Sequence, residues 1–371
     1  MISNDPACPG GGLIVREKQP LNLESPFELL DDLLTPNHLF YVRNHFPVPQ
    51  IDIRTYELAI TGAVRNPCKI AYEELRGMPF ETRVATLECA GNGRTFLAPR
   101  AEGVQWQSGA VGTAEWSGVP LAALLDRAGL QEQATEIVFE GADKGVPKEQ
   151  PAPPGEIIYA RSIPLNKASD VLIAYAMNGE DLSSQHGYPL RAVVPGRYGM
   201  ASVKWLSAIH VVTGPFQGYF QTTDYAYWNE NGTGNPERTP LGEMFLKSQI
   251  ARPKIDEIIA ANSYYRVMGA AWNADDVDRV EFSDDDGVTW REAQLIDPSV
   301  PGVWRRWQFD WQVPSNPGAR ILRSRARDTR GNVQPDEHDK RYGSYVIHHV
   351  LPVRVTIGPG GTTRAVSASG D

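Results

Sequence analysis

The sequence predicts an α+β protein of two domains, the second an immunoglobulin-like β-sandwich. Three observations predict it. Short apolar runs mix with a helix-period stripe up to about residue 240, and beyond about 245 strand signals recur without helices. The 371 residues also exceed one ordinary core. The expected divisions are 1–244 with an N-terminal arm, 245–357 for the sandwich and 358–371 for a flexible tail.

Composition narrows the possible partners. Hydrophobic residues make up 41% and charged residues 22%, a soluble globular profile, while 34 Gly and 29 Pro predict many loops and short strands. A formal charge of −9 argues against nucleic acid or an anionic membrane as partner. No run of about 18 apolar residues exists, so no membrane span is expected. Met1 to Gly12 lacks the charged-then-apolar pattern of a secretory signal, which predicts a cytoplasmic protein, or a periplasmic one if a leader was removed. Cys8, Cys68 and Cys89 are too few for a disulfide framework, and no C-x-x-C spacing suggests zinc.

In chain order, the first twenty residues read as an irregular arm. Pro120 opens a helix whose apolar stripe is Leu121, Leu124 and Leu125, with Gly129 closing it. Ile137-Val138-Phe139 and Val171-Leu172-Ile173-Ala174 read as buried strands, and PKEQPAPPGE (147–156) as a surface loop. Tyr264 to Trp272 reads as a strand. Val280-Glu281-Phe282 and Val288-Thr289-Trp290 flank the turn SDDDG and predict a hairpin. From Trp307 to Val313 apolar and polar residues alternate at period two, so one face is buried.

ATLECAGNGR (85–94) carries the most chemistry. Its apolar lead-in suggests a strand, and Ala90-Gly91-Asn92-Gly93 must then turn tightly. Cys89 therefore sits at a strand end, where a side chain can face a cleft, with Arg94 close behind. A neighbouring cation favours the thiolate, a soft metal ligand. Locally, a buried structural cysteine is the alternative.

The wider pattern bears on that choice. FYVRNHFPVP (40–49), LECAGNGR (87–94), GVQWQSGAVGTAEWSGVPL (103–121), HGYPLRAVVPG (186–196) and VKWL (203–206) occur in that order, and NVQPD (332–336) follows late. Together they resemble the molybdenum–pterin domain and the C-terminal dimerisation domain of the sulfite oxidase family, over roughly residues 15–355. The resemblance implies a sulfite-oxidase-type molybdopterin-binding domain followed by the sandwich. It implies molybdenum ligated by Cys89 and by the pterin dithiolene.

Residue by residue, Arg43 matches an arginine bordering the family's oxyanion pocket, and Asn44 and His45 stand beside it near the cofactor. Arg94 matches an arginine that helps bind substrate or cofactor. Tyr225 matches the family's active-site tyrosine, whose phenol can donate a hydrogen bond. His186, Arg191 and Lys204 match residues that hold the pterin and its phosphate, for which a guanidinium fork and an ammonium are suited. Without the family context Arg43, Arg191 and Lys204 would read as solvated or salt-bridged charges, and His45 as a hydrogen-bonded core residue.

The sequence also departs from the pattern. Gly93 stands for the first of two consecutive arginines, and Glu102 stands where Lys or Arg is usual. Arg197-Tyr198 replaces two small apolar residues, and the arginine usual a few positions later is absent. Near the C-terminus KRYGSY (340–345) occupies the region of an active-site arginine, with Arg341 a loose candidate.

The implied activity is oxidation of sulfite to sulfate by oxygen-atom transfer. Electrons pass to a separate acceptor, a cytochrome c or oxygen, because this chain has neither room for the family's haem domain nor a C-x-x-C-H site. A homodimer is expected from the dimerisation domain. Three readings compete: a nitrate or sulfoxide reductase of the same superfamily, a sulfane dehydrogenase, and a non-enzymatic β-sandwich interaction protein without cofactor.

Overall fold

The computed structural model describes residues 12–148, 151–230 and 236–359. Strands dominate both halves. In chain order the first half contains β1 (Ile14–Lys18), β2 (Leu21–Glu24), β3 (Glu57–Gly62), β4 (Cys68–Ala71), β5 (Glu81–Glu88) and β6 (Val111–Pro120). There follow α1 (Leu121–Ala128), β7 (Glu136–Gly145), β8 (Ile157–Pro164), β9 (Leu172–Met177), β10 (Glu180–Asp181), β11 (Arg191–Val193) and β12 (Leu206–Val212).

Ten of these strands, β3 to β12, make two five-stranded sheets. One has the order β4-β3-β12-β7-β8, with β12 parallel to β3 and antiparallel to β7. The other has the order β10-β9-β6-β5, with β11 also paired to β9. Both bury apolar side chains, among them Leu58, Ile60, Ile137, Phe139, Ile173 and Ile209. As the stripe predicts, α1 buries Leu121, Leu124 and Leu125, begins after Pro120 and stops at Gly129, where φ is +69°. Truncating any one of those leucines to alanine costs about 2–5 kcal/mol.

The hairpin β13 (Ala226–Glu230) and β14 (Pro236–Pro240) leads to the second half. That half contains β15 (Lys247–Arg252), β16 (Ile258–Ala260), β17 (Tyr264–Trp272), β18 (Val277–Ser283), β19 (Arg291–Glu292), β20 (Gln294–Leu295), β21 (Arg305–Gln312), β22 (Gly318–Asp328) and β23 (Val353–Gly358). Sheets β15-β17-β21-β20 and β16-β23-β22-β18-β19 face each other across Val267, Val280, Phe282, Trp307, Trp311 and Leu322. Trp307 and Trp311 are buried while Asp310 and Gln312 are exposed, which is the alternation seen in the sequence. In NVQPD, the buried Gln334 accepts the Ser248 and Ala326 N–H groups at 2.8 and 3.2 Å and so ties β15 to β22.

Two expectations change. The arm is not irregular throughout: β1 and β2 form a hairpin, fixed because buried Glu24 accepts the Gln107 and Gly109 N–H groups at 2.9 and 2.7 Å. The return strand of the SDDDG hairpin starts at Arg291 rather than Val288, because Asp285 captures both the N–H (2.9 Å) and the hydroxyl (2.6 Å) of Thr289 and widens the loop. The glycine and proline content is matched by short helices: among the described residues the α-helices of the first half run four to eight residues. Of the PKEQPAPPGE loop, residues 149–150 lie outside the described residues, as do Cys8 and residues 360–371 of the expected tail.

Candidate active site

Strand β5 hands the chain over to Cys89, whose N–H donates to the Ala110 carbonyl at 2.9 Å. The turn after it is closed by the Asn92 N–H on the Cys89 carbonyl at 2.8 Å. Gly93 then takes φ +98°, and a Cβ there would stand 2.9 Å from Ile347 Cγ2. An arginine at 93 would meet both strain and that contact, so this turn requires the glycine. Cys89 is 6% exposed and lines a cavity of about 650 Å³, counting its space open to solvent.

The cavity walls come from both sheets of the first half, the 40–45 segment and the 199–205 loop. Arg43, Arg191 and Lys204 bring three cations to it. The Lys204 ammonium donates to Asn44 Oδ1 and, at 2.8 Å, to the Gln185 carbonyl. Arg191 donates to the carbonyls of His186 and Ser202, each at 3.1 Å, and lies over the Trp116 ring. Arg43 donates to the Asn44 carbonyl. Among the described residues Asp143 is the one carboxylate in the wall, and burial pushes its pKa up to about 7. Burial and the Arg191 charge hold Lys204 well below the usual lysine range. Burial, then Lys204 and Arg191, push His186 down to about 3, so it is neutral at pH 7.

The opposite wall is aromatic and centred on His45. Its Nε2 lies 2.7 Å from the Tyr225 hydroxyl, and its ring stacks on Tyr159 with centroids 4.8 Å apart. Burial, followed by the charges of Arg43, Lys204 and Arg161, holds His45 well below its ordinary pKa. Burial raises Tyr225 well above its own, so the pair is imidazole and phenol, not an ion pair. Behind Tyr225, Arg161 is buried, donates to the Phe220 and Leu241 carbonyls and lies 6.0 Å from the Tyr225 ring centre.

Cys89, Arg43, Asn44, His45, His186, Arg191, Lys204 and Tyr225 are thus brought together around one cavity. Arg94 is not in its wall. It donates to the Ser344 and Val104 carbonyls at 3.0 and 2.6 Å and lies over the ring of Tyr345, which in turn packs on Tyr225. Arg341 is exposed and paired with Asp339 at 2.6 Å, so Tyr345 is the side chain of KRYGSY that reaches this region. Glu102 is exposed, and Cys68 is half-buried in β4, away from the cavity. Sequence reasoning missed Asp143, Tyr159, Gly199, Met200 and Ser202 in the wall. Gly199, Met200 and Ser202 fall between two quoted motifs, and Asp143 and Tyr159 lie in strands without distinguishing local signal.

Among the described residues no group of three or more His, Cys, Asp or Glu side chains converges to hold a metal. A metal at Cys89 would take one soft ligand from the chain and must bring the rest with it. Three cations facing one carboxylate of raised pKa suit an anionic carrier bearing a phosphate. A single cysteine sulfur beside an anion-binding cradle fits a molybdopterin-type cofactor, held in a domain joined to a β-sandwich.

Comparison with known proteins agrees. The oxidoreductase molybdopterin binding domain family matches residues 45–220, and the Mo-co oxidoreductase dimerisation domain family matches 238–345. Sulfite oxidase of Arabidopsis thaliana is 32% identical over 87% of this chain and 88% of its own. Mitochondrial sulfite oxidase of Mus musculus is 36% identical over 87% of this chain, which spans only 61% of the mouse protein. The sulfane dehydrogenase SoxCD from Paracoccus pantotrophus superposes with a TM-score of 0.78 at 27% identity, covering 91% of this chain and 85% of that one. The chain belongs to the sulfite oxidase family of molybdopterin-dependent oxidoreductases.

Proposed function

We propose that this protein oxidises sulfite to sulfate at a molybdenum–pterin centre ligated by Cys89. The observation that carries the reading is the position of that thiol in a cavity with three cations and one carboxylate of raised pKa. The bound cofactor supplies oxygen-atom transfer and accepts two electrons. The chain's own residues bind, orient and shield. Arg191 and Lys204 would hold the phosphate end of that cofactor, with Asn44 accepting from the Lys204 ammonium and His186 neutral beside them. Arg43 holds the oxygens of the sulfite dianion by charge-assisted bonds. Tyr225, protonated and fixed by His45, offers its hydroxyl to the substrate oxygens or the cofactor. Overall, sulfite and water give sulfate, two protons and two electrons, and the electrons leave to a separate acceptor such as a cytochrome c or oxygen. The sandwich makes a homodimer, as the name of its matched family suggests.

A second reading is sulfane oxidation, favoured by the superposition on SoxCD. Both are tested by molybdenum analysis followed by steady-state turnover with sulfite, using ferricyanide and then cytochrome c as acceptor. Stoichiometric metal with rapid sulfite turnover, abolished in metal-loaded Cys89→Ser, supports the first reading. Loaded protein inert to sulfite but active on a sulfane-sulfur compound replaces it with the second. Protein free of molybdenum from a cofactor-proficient host overturns both. Light scattering at the mass of one chain would remove the homodimer.

A further inference from the structure

Four buried side chains behind Cys89 lie outside the cavity wall, and two of them, Lys247 and Trp272, lie outside the motifs as well. Glu88, immediately before the cysteine, is 2% exposed and Lys247, the first residue of β15, is 1% exposed. The Lys247 ammonium donates to Glu88 Oε1 at 2.9 Å and to the Asn92 carbonyl at 2.9 Å, so one cation holds the turn on both sides of Cys89. The second Glu88 oxygen accepts the indole N–H of Trp272 at 2.8 Å, and Trp272 is the last residue of β17. Asn92 donates to Glu88 Oε1 at 3.1 Å and accepts the Ala110 N–H at 3.1 Å. Lys247 and Trp272 are also cross-strand partners in the sandwich, so their relative placement is fixed by the β15–β17 register.

Ion pairs taken out of water contribute little net stability compared with apolar packing, because desolvation cancels most of the attraction. Their use lies in fixing geometry. Here the contacts of Lys247, Trp272 and Asn92 meet on Glu88 and the turn that presents the thiol.

We propose that Lys247 and Trp272 of the sandwich are positioning residues for the Cys89 turn, so the second domain completes the metal-ligating loop of the first. The metal in this statement rests on the function proposed above; the restraint on the loop does not. With both contacts in place the thiol is held at one depth and one direction in the cavity wall. Without Lys247, Glu88 is left as an uncompensated buried charge and the Asn92 carbonyl loses its donor, so the turn opens.

The test uses the full chain in a Cys8→Ser/Cys68→Ser background, where Cys89 is the remaining thiol. Modification of Cys89 by a maleimide is timed in cofactor-free protein, and molybdenum retention after dialysis is measured in protein as purified. Lys247→Met is expected to raise the modification rate about tenfold or more and to halve the retained metal or worse. Leu322→Ala, a substitution in the buried core of the sandwich, serves as a control for general destabilisation and should leave both near wild type. If Lys247→Met does not fold, Glu88→Gln/Lys247→Met removes both charges and is read in the same way. Trp272→Phe, which deletes only the indole donor, should give a smaller rise. Wild-type modification rates in the Lys247 variants, or an equal rise in Leu322→Ala, overturn the proposal. If no form carries molybdenum, the functional reading fails while the thiol measurement still decides the clamp.

Discussion

The Nε2 of His45 lies 2.7 Å from the Tyr225 hydroxyl, joining two residues 180 positions apart at the wall of the cavity. Both rings are buried, and the pKa directions keep both neutral. The bond therefore orients the phenol without charging it. Tyr225→Phe should leave molybdenum content unchanged and lower kcat/KM for sulfite by roughly 10–100-fold, or about 1.4–2.7 kcal/mol. Steady-state kinetics on metal-quantified protein checks this, and unchanged kcat/KM would remove Tyr225 from the mechanism.

Arg43→Gln removes a cavity cation and leaves a shorter, neutral side chain that can still donate a hydrogen bond. Its principal effect should be on KM for sulfite, raised by roughly tenfold or more as one charge-assisted contact is lost. A fall confined to kcat would mean that Arg43 acts on the reaction rather than on anion binding.

Arg341→Ala should change little. Its guanidinium is exposed and paired with Asp339, and exposed pairs contribute about 0–1 kcal/mol. Melting temperature and KM for sulfite should both stay near wild type. A large rise in KM would restore Arg341 as a substrate contact and displace Tyr345 from the account given above.

His348 supplies a pH test away from the cavity. Burial, followed by the Lys247 charge, pushes its pKa down to about 4 from 6.5. Above pH 6.5 it is neutral folded or unfolded and contributes nothing to pH dependence. Below that, the unfolded chain takes up a proton that the folded chain refuses, so stability falls as the pH drops towards 4. Relative to wild type, His348→Gln should gain roughly 2–3 kcal/mol between pH 7 and pH 4.5. Denaturant unfolding at the two pH values measures the difference; a constant gap would mean that His348 titrates normally in the folded protein.

The elements legible in the sequence are those set by local periodicity. The α1 stripe ends in a glycine at positive φ, and Trp307 and Trp311 face one side of β21, because burial on one face leaves a repeat of 3.6 or 2 residues. The Cys89 turn was legible for the same reason, as a strand running into a glycine-rich bend. What was not legible depends on distance along the chain. Glu88 and Lys247 are 159 residues apart and read separately as ordinary charges. Arg94 follows the cysteine closely, but its aim is set by carbonyls at 104 and 344, so its guanidinium turns away from the cavity. Asp143 and Tyr159 reach the wall only through the pairing of β7 with β8.

The parallel pairing of β12 with β3 brings Ala208 against Ala59 and places β12 between β3 and β7. A ribosome adding about 5–20 residues per second needs roughly 8–30 s to cover that gap. For that interval the nascent chain carries the β3–β4 hairpin with one backbone edge bare and Leu58 and Ile60 without their neighbours on β12. The sheet is therefore a late product of translation, and proteolysis of ribosome-bound chains should find residues 57–71 cleavable until β12 has cleared the exit tunnel.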